Sequence, residues 1–410
     1  MSTISIPRRT LMAGAAAATL LPARPRAQNR PYRIGVLSDF SGPFRDDSGP
    51  TSLAAVRQAV EDFGPAARGM TVEVIMADHQ NRPDTGSAIA RRWFDVDGVD
   101  AVVDLVGSAV ALAVAGVARE KDKVCIVSGA GTVDLTGAQC SPNTVHWAYD
   151  TWMLAKSNGG TTVRTGGDTW FFITADYAFG QALQRDTTPF IEAAGGRVIG
   201  TARHPFPGTT DFSSYIVQAV SSRAKVLGIA NAGSDLSNTL RQAAEFGVTR
   251  RGMRVVGLVM VLTNIKALGL DATAGLQFTE TFYWDLNERT RAVSNRIAPK
   301  IGGNRMNMLQ AGCYGGTAHL LKALADMPPA ERSSGRAVVQ RMKAMPTDDD
   351  AFGPGRIRED GRKLHPAYLL QVKTPQESTG GWDFCKLVAT TPADEAFRPM
   401  SEGGCAFVRG

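Results

Sequence analysis

Side chains capable of chemistry occur throughout the sequence, but few stand at the spacing that chemistry requires. The five histidines (His79, His146, His204, His319 and His365) are scattered, and none pairs with a second ligand at metal-binding spacing. None of the five cysteines forms a CxxC pair, which argues against metal knuckles and dithiol redox chemistry. Asp348-Asp349-Asp350 lacks the glycine and glutamate spacing of a calcium loop, so a solvated turn is expected there. No GxGxxG follows the first apolar run, because Gly35 lies inside it and Gly42 is followed by Pro43. GxxxxGK[ST] is absent, and Ser128-Gly129-Ala130 does not make a GxSxG elbow. The expectation is a chain with no metal, no cofactor and no catalytic set.

What remains is a group of loops rich in small residues and hydroxyls. Asp39-Phe40-Ser41-Gly42-Pro43-Phe44 follows the first expected strand, Gly107-Ser108-Ala109 the third, and Ser128-Gly129-Ala130-Gly131-Thr132 the fourth. Open α/β sheets bind ligands at these strand ends, and free amides at helix N-termini favour anions. Ser108 could hydrogen-bond a carboxylate there, or serve as a plain helix cap worth about 1 kcal/mol. Asp176-Tyr177-Ala178-Phe179-Gly180 occupies the same place in the second half of the chain, where Tyr177 can offer a ring face and a hydroxyl. Phe282-Tyr283-Trp284 is the densest aromatic cluster and reads either as core or as a ligand wall.

The elements that would position these loops alternate. Apolar runs at 33–38, 72–77, 101–106 and 124–127 are separated by helical periodicity at 51–63, 85–94 and 110–120. The pattern restarts with strands at 169–174, 197–202, 226–230 and 255–261 and helices at 180–194, 212–222 and 235–246. Such alternation means βαβ units and parallel sheets covered on both faces. A helical region then runs to about residue 345, with helices at 291–301 and 306–325. A turn-rich stretch covers 353–361 and a strand 368–373, and the last 30 residues read as irregular.

At 410 residues, with 43% hydrophobic and 20% charged residues, the chain has room for two lobes of ordinary soluble composition. Residues 1–27 read as a targeting segment: Arg8-Arg9 precede an uncharged run from Leu11 to Leu21, and Ala27 offers a cleavage position. The paired arginines resemble a twin-arginine signal, with Sec export as the alternative. Removing the segment's four arginines lowers the formal charge from +6 to +2. No basic cluster with interleaved aromatics points to nucleic acid, and no later stretch is long and apolar enough to insert in a membrane. Cys125 and Cys313 read as buried thiols. Among Cys140, Cys385 and Cys405 an oxidising compartment would permit one disulfide, whose connectivity the spacing leaves open.

Several stretches resemble the periplasmic solute-binding proteins of ABC importers, in the branched-chain amino acid (Leu/Ile/Val-binding) type I family. They are RIGVLSDFSGP (33–43), VSGAGTVDLTG (127–137), DTWFFITADYAFG (168–180), ALGLDATAGLQFTETFYWDLN (267–287), RIREDGRKLHP (356–366) and AFRPMSEGGC (396–405). The resemblance implies an α/β type I periplasmic-binding-protein fold, with two Rossmann-like lobes of parallel sheet joined by a three-crossing hinge. The N-terminal lobe would hold 31–148 and 283–347, and the C-terminal lobe 149–282 and 348–375, with 376–410 as a tail. It also implies a periplasmic protein, monomeric in its working form, that binds a small molecule and serves a membrane permease.

By the same resemblance Ser108, Ala130 and Thr132 would hold a ligand carboxylate, and Tyr177 would approach from the second lobe. Ala109, Gly131, Trp152, Asn231 and Phe282 complete the expected contacts, and a Cys140–Cys405 disulfide would tie the tail to the first lobe. Two departures bear on specificity. The strand end at 257–262 (GLVMVL) carries no carboxylate to meet a ligand ammonium, Asp235 being the nearest acid on that edge, and Arg45 adds a cation beside the expected cleft. A cation gained and an acid missing suggest a non-amino organic acid, and with ADYAFG and TETFYWD, which resemble the aromatic-acid branch, an aromatic or short branched carboxylate. A sensory receptor built on the same clamp is the alternative function.

Overall fold

The computed structural model describes Met1 and residues 30–408, so the expected export signal lies outside the described residues. From Pro31 onward the chain forms one compact unit. Its first sheet is all parallel, in the order β2-β1-β3-β4-β5: β1 (Tyr32–Ser38), β2 (Val72–Asp78), β3 (Ala101–Asp104), β4 (Val124–Val127) and β5 (Thr144–His146). Helices α1 (Gly49–Phe63), α2 (Pro83–Asp95) and α3 (Ser108–Glu120) make the crossovers. Successive residues of β1 serve opposite faces, as the strand repeat of two requires. Ile34 and Val36 join one cluster with Val56 and Ala59 of α1, while Leu37 joins Trp93 of α2 and Val114 of α3 in another.

The second lobe repeats the plan. β6 (Thr169–Ala175), β7 (Arg197–His204), β8 (Val226–Ala230) and β9 (Arg254–Gly257) form a parallel sheet in the order β7-β6-β8-β9. It is flanked by α4 (Thr151–Arg164), α5 (Ala178–Ala193), α6 (Ser213–Ser221) and α7 (Gly233–Glu245). Trp170 and Phe172 point to α4 and α5, whereas Phe171 and Ile173 point to α6 and α7. Helix α8 (Leu262–Leu268), the short α9 (Leu270–Thr273) and β10 (Gln277–Glu280) follow. The chain then returns to the first lobe, where α10 (Glu288–Ile297), α11 (Met308–Ala325) and α12 (Gly335–Ala344) pack on its sheet and on α1.

The later segments divide more finely than the sequence suggested. β11 (Thr347–Asp349), β12 (Gly353–Ile357) and β13 (Lys363–Leu364) form a small antiparallel sheet against α11 and α12, on the first-lobe side. Only β14 (Ala367–Val372), paired with β10, belongs to the second lobe, so the third crossing lies near Pro366 rather than at 348. The tail is not irregular: β15 (Cys385–Thr391) adds an antiparallel strand to β14. Residues beyond it pass back to the first lobe, where Arg398 donates to the Val133 carbonyl at 3.1 Å. Cys140 and Cys405 are joined there, with Cα atoms 5.6 Å apart, while Cys385 is a buried free thiol.

Arg362 holds the hinge together. It is wholly buried and donates to the carbonyls of Trp147 (2.7 Å) and Tyr149 (3.1 Å) on the first crossing. Asp150 lies 3.6 Å away, and the Phe397 ring lies 4.2 Å from the guanidinium carbon. Asp150 also caps α4 by accepting the Met153 amide at 2.9 Å. Truncating Arg362 would remove the nearest counter-charge of buried Asp150 and the donors to two hinge carbonyls, so Arg362→Ala should cost about 3–5 kcal/mol in denaturant unfolding. The Cys140→Ser/Cys405→Ser variant should lose about 2–4 kcal/mol in the same measurement.

Candidate functional site

The first-lobe rim is built by buried carboxylates that organise loops. Asp39, after β1, accepts the amides of Gly42 (2.6 Å) and Phe44 (3.0 Å), folding the 39–44 loop back over the strand end. Asp104 ends β3 with φ +88° and Leu105 follows at +61°, left-handed values that cost non-glycine residues about 1–3 kcal/mol each. Ser48 Oγ lies 2.7 and 2.8 Å from the Asp104 carboxylate oxygens, and the Asp104 carbonyl accepts the amides of Ser128 and Gly129. Two loops that line the cleft are thereby tied to one residue.

Gly107 turns the chain into α3 at φ +93°, where a Cβ would stand 2.4 Å from Asn81 Oδ1. A side chain there would be strained by the backbone and would have to displace Asn81. Gly107 is also the helix N-cap, so Ser108 is the first helical residue and makes no capping bond. Its hydroxyl is buried and has no partner among the described residues. Unbonded amides of the first turn lie beside it. In the neighbouring loop, His146 Nε2 donates to the Ala130 carbonyl at 2.7 Å, and burial keeps that imidazole neutral. Tyr149 Oη donates to the Gly129 carbonyl at 3.2 Å.

The second lobe closes against this rim. Tyr177, just before α5, stacks on Phe206 at 4.1 Å between ring centres, and Phe44 meets the same Phe206 at 5.6 Å. The Tyr177 hydroxyl is buried without a partner, and burial holds its phenol well above the ordinary range. Gly233 opens α7 at φ +63°, where a Cβ would stand 2.5 Å from the Pro43 carbonyl. The next amide, Ser234, donates to that carbonyl at 3.2 Å. Thr263, in the first turn of α8, donates to Asp47 Oδ1 at 2.6 Å. Together these contacts close the lobes over a narrow cleft. Its walls are Phe44, Val106, Tyr149, Phe179, Val259, Val261 and Leu309, with Ser108, Tyr177, Asn264 and Asp47 supplying the polar side chains.

Of the residues expected from sequence, Ser108, Ala130, Gly131 and Tyr177 line this cleft. Ala109 and Thr132 adjoin it without lining it; Thr132 Oγ1 instead accepts the Asp134 amide at 3.3 Å and caps a short turn. Four others lie elsewhere. Arg45 turns outward, 56% exposed, to pair with Asp46 at 2.7 Å, because solvent is the cheaper place for a guanidinium without a buried partner. Trp152 packs edge-on against Phe190, 5.2 Å between centres. Asn231 is buried below the surface, donating to Thr239 Oγ1 at 3.0 Å. Phe282 is fully buried beside Phe352 and belongs to the core.

Asp47 was missed, although it follows Arg45-Asp46 directly in the first loop. Asp235 is buried in the first turn of α7, 3.7 Å from His204 Nδ1, and does not line the cleft.

A profile described as periplasmic binding protein matches residues 31–380. The chain belongs to the periplasmic binding protein family. A periplasmic binding protein from Burkholderia mallei is 42% identical, with a TM-score of 0.88 over 92% of this chain and 99% of its own. A branched-chain amino acid ABC transporter periplasmic ligand-binding protein from Burkholderia xenovorans is 34% identical, with a TM-score of 0.81 and the same coverage. A solute-binding protein from R. palustris in complex with benzoate shares the fold at 18% identity and a TM-score of 0.79, covering 92% of this chain and 99% of its own. No curated protein sequence matches the chain. The binding protein is thus a two-lobed solute clamp, and no helix among its described residues is long and apolar enough to cross a membrane.

Asp47 gives the clamp a pH dependence. Burial and the neighbouring Asp46 charge push its carboxyl up from 3.8 to about 6, against the Thr263 hydrogen bond, which pulls it down. The folded protein therefore holds this proton more tightly than the unfolded chain does. Stability from this group is full below its ordinary value of 3.8 and is lost as pH rises through about 6. Asp47→Asn should therefore be up to about 3 kcal/mol more stable than wild type at pH 7 without ligand, and nearly equal to it at pH 4, by denaturant titration.

Proposed function

We propose that this binding protein captures a small organic carboxylate in the periplasm and presents it to the permease of an ABC importer. The carrying observation is the Ser108 hydroxyl, buried and unpartnered at the first turn of α3, on a cleft whose other walls are mostly apolar. A carboxylate would take that hydroxyl together with the first amides of the helix, where the helix dipole also favours negative charge. The apolar walls suit a ring or a short branched body, so aromatic acids and branched-chain acids are the candidate ligands. Full-length similarity to an ABC transporter ligand-binding protein at 34% identity supports import over signalling.

The argument from charge changes with the structure. Arg45 faces solvent and offers the ligand no cation, while Val259 and Val261 keep the second-lobe strand end apolar. The acid of the cleft is Asp47 on the first lobe. We read the arginine pair at residues 8–9 as part of the export signal and the working form as a monomer whose partners are solute and permease.

A thermal-shift screen against aromatic, aliphatic and branched-chain amino acids tests this reading. A ligand at 100 times its dissociation constant adds about 2.7 kcal/mol of stability. Ser108→Ala should weaken binding of the best acid about 10- to 100-fold, the loss of a hydrogen bond to a charged group. Unchanged affinity in that variant would remove Ser108 from the site.

A further inference from the structure

Asp47 is the one charged side chain lining the cleft. It is 8% exposed, and no cation faces its carboxylate among the described residues. Oδ1 accepts the Thr263 hydroxyl, while Oδ2 has no hydrogen-bond donor among the described residues and keeps some access to solvent until a ligand covers it. Asn307 lies close, but its amide donates to the Asp47 backbone carbonyl at 2.9 Å and not to the carboxylate. The groups that sense Asp47 electrostatically are acids and phenols: Asp46, Glu280, Tyr149 and Tyr177. Glu280 is itself saturated by the amides of Leu262 and Met308, both at 3.1 Å.

A ligand that was only a carboxylate would bring further negative charge into this surrounding. Burying an acceptor without a donor costs about 1–3 kcal/mol, and more for a charged one. A cleft closed on Asp47 therefore favours a solute that supplies the missing donor.

We infer that Asp47 is a specificity-determining residue: it selects acids that carry, besides the carboxylate, an ammonium or hydroxyl donor able to reach its free oxygen. This rests on the carboxylate reading of Ser108 and adds the second polar group of the ligand. Selection arises from the loss suffered by acids without the donor, which leave Asp47 unpaired. Sites of this kind discriminate strongly, because the analogue lacking the donor strands a buried polar group.

The test uses acids that differ by one donor: leucine against 4-methylpentanoate for the ammonium, and 3- or 4-hydroxybenzoate against benzoate for the hydroxyl. Dissociation constants are measured by calorimetry at pH 7.5 for wild type, Asp47→Asn and Thr263→Val. In wild type the donor-bearing member of at least one pair should bind 10-fold or more tightly. Asp47→Asn should shrink that advantage below about 3-fold while binding the donor-free acid at least as well as wild type does. Thr263→Val, which keeps the charge but removes its internal donor, should widen the advantage.

The two readings fail separately. A donor advantage that survives in Asp47→Asn, or no donor advantage in either wild-type pair, overturns the role of Asp47 alone. Unchanged affinity for every acid in Ser108→Ala overturns the carboxylate assignment, and a panel in which no acid binds overturns both.

Discussion

The closed cleft encloses polar groups that the protein does not pair with its own atoms. Among the described residues the hydroxyls of Ser108 and Tyr177 have no partner, and the Asp47 carboxylate has one donor, the Thr263 hydroxyl. In water these groups would be solvated at no cost, so closing over them is unfavourable unless a solute replaces that water. The rest of the structure around the cleft follows from this constraint. Left-handed residues at 104–105, the positive-φ glycine at 107 and the buried Asp104 carboxylate all hold Ser108 in place before a ligand arrives. His146, neutral through burial, fixes the Ala130 loop in the same way. Strain and buried charge are concentrated where the ligand is to be held, and the compensating interactions lie in the two ordinary α/β cores beneath.

Closure is then a matter of populations. Contacts between the lobes include Ser234 to Pro43, Thr263 to Asp47, the Met308 amide to Glu280, and Phe44 against Phe206. A ligand shifts the balance of open and closed forms by its differential affinity for the closed one. At the crossings Arg362 binds the 147–150 segment to the later part of the chain. The tail adds a fourth passage between the lobes, from β15 to the Cys140–Cys405 disulfide. That passage gives each lobe a fixed point on the other.

The sheets, their order of appearance and the loops that line the cleft were legible in the sequence because they rest on local periodicity. Ser108 could be singled out since a glycine-serine step between an apolar run and a helix has few other uses. Which way a side chain turns out of a loop is not a local property. Arg45 and Asp47 stand two residues apart, yet one pairs in solvent and the other lines the cleft; only the approach of Thr263 from the other lobe decides this. Phe282 looked like a ligand wall because it sits in an aromatic cluster, but packing against Phe352 places it in the core. Helix α4 escaped notice because its threonines, asparagine and glycines hide a weak apolar face, and Asp150 caps it from the hinge. Strand β15 was missed for a related reason: it is an edge strand with Leu387 and Val388 exposed, so it shows no clean alternation.

The account turns on one ligand spanning the unpaired groups of the first lobe. A crystal structure of the mature protein with its tightest-binding acid tests this directly. The account expects a closed cleft, the ligand carboxylate about 3 Å from Ser108 Oγ and the first amides of α3, and a ligand donor at similar distance from Asp47. A ligand whose carboxylate points away from α3, or whose nearest atoms to Asp47 are carbon, would contradict it.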